Sequence, residues 1–138
     1  MIGESQVKKQ IGGRGYFARV HVACLIGGEQ FRSVSLDPSA DEPWYRSEGW
    51  THAAMAGAAL GLKLADAKAA CTITQITGMH VDSNPTLMAI AAIRAVWEAL
   101  GFEPAEELAA FLEAAIFRKT EWSVSDLERE LSQIVRCT

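Results

Sequence analysis

The segment Lys8-Lys9-Gln10-Ile11-Gly12-Gly13-Arg14-Gly15-Tyr16-Phe17-Ala18-Arg19-Val20 holds the residue types best suited to chemistry in this chain. Gly12, Gly13 and Gly15 just before a strand make a tight loop with exposed backbone N–H groups, and Arg14 among them adds a fork donor suited to phosphate. The segment is not a nucleotide P-loop, because no Gly-Lys-Ser/Thr follows and the next element has strand character instead of helical. A glycine-rich connection with a purely structural role is the alternative. Other reactive residue types are scattered. His21 and Cys24 lie three apart on a strand, so they point to opposite faces and do not share a metal. His52 falls on a helix with no carboxylate or cysteine at ligand spacing. Ser83 and Ser125 each stand at a helix start and read as cap residues, not nucleophiles. Neither Gly-x-Ser-x-Gly nor His-Glu-x-x-His occurs. No catalytic residue, metal site, cofactor or nucleotide is expected.

The elements that must position the glycine loop follow from the patterning. The 138 residues, 49% hydrophobic and 22% charged, describe one ordinary globular domain. No apolar run reaches the ~18 residues of a membrane span, and the polar, mixed-charge segment from Met1 to Gln10 is not a secretory signal. A cytoplasmic location is expected. Cys24, Cys71 and Cys137 are an odd, widely spaced set without a Cys-x-x-Cys pair. All three are expected to be reduced, with Cys24 and Cys71 as core residues. The net charge of −4 is uneven: residues 1–36 sum to +3 and the remainder to −7. Either the surface charge is merely uneven, or the N-terminal third faces an anion such as RNA phosphate.

Val20, Val22, Cys24 and Ile26 alternate with Arg19, His21, Ala23 and Leu25, the period of a strand. Gly27-Gly28 permits a turn, and Phe31–Leu36 continues as a second strand, so 18–36 is predicted to be a hairpin ended by Asp37-Pro38. A loop over 37–49 holds Trp44 and Tyr45, with Trp50 next; a cluster capping the sheet and a partner-binding patch are both open readings. Thr51 to about Lys68 is predicted helical. Gly57 and Gly61, four apart on one face of it, imply close approach to the sheet. Cys71–Thr77 is a third strand. Asn84 and Pro85 open a helix whose stripe is Leu87, Ile90, Ile93, Trp97 and Leu100, and Gly101 stops it. Pro104 opens another, with Leu108, Phe111, Leu112, Ala115 and Ile116 on one face and Glu106, Glu107 and Glu113 solvated. Ser125 and Glu128 have capping-box spacing before a last helix through Leu127, Leu131, Ile134 and Val135. Strict β/α alternation is absent, which makes the fold class α+β.

The glycine segment also resembles the opening hairpin of elongation factor G domain IV. Gly49-Trp50-Thr51-His52-Ala53-Ala54-Met55-Ala56-Gly57 resembles that family's first helix, and Thr77-Gly78-Met79-His80-Val81-Asp82-Ser83 the loop before its second. Residues 78–102 align without a gap, ending in the same Gly-Phe pair. The ungapped alignment places Val81 where the family often carries histidine, with His80 one place earlier and Asp82 in register. The match covers roughly residues 6–102. It implies a ribosomal protein S5 domain 2-like fold: a mixed sheet of about four strands with helices packed on one face. Residues 103–138 would be a C-terminal helical extension packed on the same domain. The stretch before the glycine loop is shorter than the family's first strand needs, so a short first strand, or an edge covered by another chain, is expected.

In the translocase family the tip loops of this domain contact tRNA and mRNA. The resemblance therefore implies a non-enzymatic module that binds the ribosome, structured RNA or a protein, through Lys8, Lys9, Gly12, Gly13, Arg14, Gly15, Tyr16, His80 and Asp82. A small-ligand enzyme on the same fold is a second class. A homo-oligomeric assembly protein, such as a homodimer, is a third.

Overall fold

The computed structural model describes residues 1–11, 13–26, 32–40, 42, 45, 48–117 and 124–137. Among the described residues, four strands, β1 (Ile2–Ile11), β2 (Arg14–Ile26), β3 (Ser33–Leu36) and β4 (Ala69–Thr77), form one sheet in the order β1-β2-β4-β3. Among the described residues these strands are followed or interrupted by the α-helices α1 (Trp50–Leu64), α2 (Pro85–Leu100), α3 (Glu106–Ile116) and α4 (Val124–Cys137). The fold is α+β, with a mixed sheet, as expected.

The predicted hairpin over 18–36 is not formed. β2 pairs antiparallel with β1 on one side and with β4 on the other, while β3 lies at the far edge, parallel to β4. The chain from β3 returns through α1 before laying down β4, so a parallel pair is the natural product of that crossover. β4 takes an inner position because its alternate residues Ala69, Cys71 and Ile73 are buried and it pairs on both sides. The turn expected at Gly27-Gly28, and Phe31, lie outside the described residues, as does Trp44. The first strand is also longer than expected. β1 has ten residues, paired with β2 from Ile2↔Ala23 to Ile11↔Arg14.

One face of the sheet is covered. Val7, Val20, Val22, Cys24, Cys71, Ile73 and Ile76 join residues of all four helices in a single core. A register shift opposite His21/Val22 lets both Ile73 and Ile76 face that core, although they are three apart. α2 runs through the middle and is buried on almost every side from Thr86 to Ala99. A helix apolar all round is what such a position requires. Its ends are as predicted: the Asn84 side chain accepts from Leu87 N at 2.9 Å, Pro85 occupies the first turn, and Gly101 closes it at φ 68°.

Several local expectations are corrected by packing. Gly57 and Gly61 face α2 instead of the sheet; a Cβ at Gly57 would lie 2.7 Å from Ala89 Cα, and one at Gly61 3.3 Å from Ile93 Cα. α1 ends at Leu64, short of Lys68. α3 begins at Glu106, two residues after Pro104, with Glu106 and Glu107 in its first turn, where carboxylates favour the helix dipole. α4 already includes Val124, so Ser125 lies inside its first turn, and Glu128 accepts from Lys63 Nζ at 2.9 Å instead of completing a capping box.

Cys24 and Cys71 are not free thiols. They sit opposite one another on β2 and β4 with Cα atoms 4.2 Å apart, and are joined as a disulfide. The expectation of reduced cysteines treated their separation in sequence as separation in space. Among the described residues, no helix is long and apolar enough to cross a membrane.

Candidate nucleic-acid interface at the hairpin tip

β1 and β2 meet at a two-residue connection whose second residue, Gly13, has φ +80°. Glycine reaches this left-handed conformation without a Cβ clash. Gly12 lies outside the described residues. The strand ends carry Lys8 and Lys9 on one side and Arg14, Gly15 and Tyr16 on the other. The loop before α2 lies against them. Asp82 O accepts from Phe17 N at 2.9 Å. Ser83 Oγ donates to Phe17 O at 2.6 Å and accepts from Met79 N at 2.8 Å. Ser83 is thus a staple between the two loops; Asn84 caps the helix in its place.

Between hairpin and loop lies a cleft of about 390 Å³, lined by Lys8, Lys9, Gln10, Gly13, Gly15, Tyr16, Phe17, Met79 and Asp82. Six of the residues singled out from the sequence therefore converge: Lys8, Lys9, Gly13, Gly15, Tyr16 and Asp82. Gly15 is where Asp82 approaches, since a Cβ there would come within 2.6 Å of the Asp82 carboxylate. Arg14 is exposed at the rim, its guanidinium carbon 5.3 Å from the Tyr16 ring centroid, a cation–π contact. His80 is exposed on the loop but does not line the cleft, and its neighbour Val81 is 89% exposed. Cations at the wall, a carboxylate acceptor and aromatic surface suit a ligand that carries both phosphates and hydrogen-bonding edges.

Helix α3 and the residue that ends it buttress this tip, which the sequence did not foretell. Phe117 packs edge-on against Tyr16 with centroids 5.2 Å apart. Glu113 of α3, expected on a solvated face, instead holds Lys9 at 3.2 Å and Arg94 of α2 at 3.1 Å. Hydrogen bonds from Arg94 first, then Lys9, hold the Glu113 carboxyl below the usual carboxylate range. Because its folded value is depressed, the stabilisation is present above the unfolded value and is lost as pH falls through the folded one. Glu113 and Lys9 are nearly half exposed, so the contribution is below about 1 kcal/mol. Glu113→Gln is expected to lower the unfolding midpoint slightly at neutral pH, with the difference vanishing at acid pH. A difference that persists in acid would remove the ion-pair explanation.

The remaining candidates do not assemble. His21 Nε2 lies 3.1 Å from Arg19 Nε and 3.4 Å from Glu4 Oε1 on the uncovered face of the sheet, away from Cys24 in the core. His52 is exposed. Among the described residues no three His, Cys, Asp or Glu side chains form a metal-binding group.

No family model matches this chain, and no curated protein does. Among solved structures, a crystal structure of a protein from Thermus thermophilus is similar, with a TM-score of 0.51 and 19% identity over 69% of this chain. The chain spans only 14% of that protein's length. At this identity the likeness is one of fold.

Proposed function

We propose that this chain is a non-enzymatic binding module of the elongation factor G domain IV kind, which holds structured RNA at its hairpin tip. The observation that carries the reading is the convergence of Lys8, Lys9, Gly13, Gly15 and Tyr16 of the hairpin with Met79 and Asp82 of the loop before α2 around one cleft. These residues lie in two of the three segments whose sequences resemble the translocase domain, and the second is one its family uses at RNA. Lys8 and Arg14 have no carboxylate partner among the described residues, so their charge is available to phosphate. The acidic remainder of the chain confines the attraction to this end.

Titration of a labelled RNA stem-loop by anisotropy over a series of salt concentrations tests the reading. Affinity is expected to fall linearly on a log–log plot, with a slope of about −0.7 to −0.9 per phosphate contacted. The triple replacement Lys8→Ala, Lys9→Ala and Arg14→Ala should flatten the slope by about two to three such units and weaken every RNA sequence alike. Binding indifferent to salt, or unchanged in the triple variant, would refute it.

A further inference from the structure

We propose that two copies of this chain associate through β1, edge to edge about a two-fold axis at Gln6, to make one continuous eight-stranded sheet. The inference is independent of RNA binding and starts from the hydrogen-bond phase of the β1–β2 pair. Met1 N donates to Cys24 O at 3.1 Å and Cys24 N donates to Met1 O at 2.8 Å. Bonded pairs recur at every second residue of an antiparallel ladder. The odd-numbered residues of β1 therefore spend their N–H and C=O groups on β2. Those of Ile2, Glu4, Gln6, Lys8 and Gln10 point away from the sheet, and no described residue bonds them.

An unbulged strand of ten residues with a bare outer edge is a template for another strand. The usual protection is a proline, a bulge or a run of like charges. β1 has no proline and no bulge, and its adjacent lysines, Lys8 and Lys9, fall on opposite faces; the exposed face carries Lys8 together with Glu4, placed symmetrically about Gln6. Antiparallel pairing of β1 with itself about Gln6 sets Glu4 opposite Lys8 of the second copy, and Lys8 opposite Glu4, on the same face of the sheet. Two opposite-charge cross-strand pairs follow from one register. Pairing about Ser5 or Val7 keeps the hydrogen bonds in phase but places both charges opposite uncharged residues, and about Ser5 it also shortens the overlap. Charge complementarity thus selects one register and one partner, a second copy of this chain. The Glu4 carboxylate already accepts from Arg19 Nε through Oε1 at 2.9 Å, which leaves Oε2 for Lys8 of the other copy. The arrangement is isologous and closes at two.

Sedimentation or light scattering of the full chain reads the outcome. The wild type should run at twice the 15.0 kDa chain mass. Gln6→Pro removes an outward N–H at the axis without breaking a β1–β2 bond and is expected to halve the mass, with circular dichroism confirming the fold. Glu4→Lys and Lys8→Glu should each be monomeric alone, because each sets like charges opposite. Mixed in equal amounts, they should restore the doubled mass, since every pair is then complementary. A wild type at 15.0 kDa at its highest soluble concentration overturns the proposal. So does a doubled mass that survives Gln6→Pro, or a mixture of the charge variants that stays monomeric. Lys8 also lines the tip cleft, so RNA titration of the Gln6→Pro variant, whose tip cations are intact, separates failure of pairing from failure of RNA binding.

Discussion

Gly57→Ala is expected to destabilise the protein by about 2 kcal/mol, although it replaces a poor helix former by the best one. Helix propensity alone would favour the substitution by about 1 kcal/mol. The opposing effect is larger because of what the new methyl meets. At Gly57 it would lie 2.7 Å from Ala89 Cα and 2.9 Å from its carbonyl carbon, and nearer still to the carbonyl oxygen. These are backbone atoms in the middle of α2, and no rotamer change removes them. α1 and α2 must move apart, and Ala53, Ala54 and Ala58 on the same helix are all nearly fully buried, so separation opens the core along its length. Overpacking of this kind costs about 3 kcal/mol at the upper part of its usual range. Gly61 is the internal control. A Cβ there meets Ile93 Cα and O at 3.3 Å and Val96 Cβ at 3.4 Å, contacts that a few tenths of an ångström relieve. Its propensity gain offsets the strain, so Gly61→Ala should lie within about 0.5 kcal/mol of the wild type. Urea midpoints at constant m-value measure both. Equal midpoints for the two variants would mean that the helices are not in backbone contact at Gly57.

The same pair of glycines shows what was legible in the sequence. Spacing by four gave a common face and a close approach, both correct, but not which element approaches. Information carried by neighbouring residues was readable throughout. The Asn84-Pro85 start and Gly101 stop of α2 act through atoms within a few residues, and the period-two run of β2 needs only its own side chains. The glycine connection was readable for a related reason, being local, whereas the loop of Asp82 comes against it only in the folded chain. What failed depended on partners distant in sequence. β4 takes the place beside β2 that the nearer β3 was expected to fill, and nothing in either strand names its neighbour. Phe117 reaches Tyr16, and Glu113 reaches Lys9, only once three helices have packed. Charge type marked Glu113 as solvated surface, which is the commoner fate of a helical glutamate. Placement of β4 also decides the cysteines, because strand order alone brings Cys24 against Cys71.

Reduction of that disulfide is expected to cost about 4 kcal/mol, the largest effect foreseen for a single bond in this chain. The two residues are 47 apart in sequence, and the bridge closes that length of chain in the unfolded state. On the chain-entropy account the stabilisation grows with the logarithm of the loop, and a loop of this size gives a value near the upper end of the usual range. The native side loses little on reduction. Both sulfurs lie in the core, at 3% and 1% exposure, and two thiols fill nearly the same space. The loss therefore falls on the unfolded ensemble, and the reduced protein should keep its fold while unfolding at a lower denaturant concentration. Two measurements check this. Unfolding midpoints with and without a dithiol reductant should differ by that free energy at the measured m-value. Thiol titration of the denatured, unreduced chain should find one reactive cysteine, Cys137, against three after reduction. Three thiols before reduction would place Cys24 and Cys71 opposite one another as unbonded core residues. The midpoint would then be indifferent to reductant, and the β2–β4 pairing would rest on hydrogen bonds and on buried side chains such as Val20, Val22, Ile73 and Ile76.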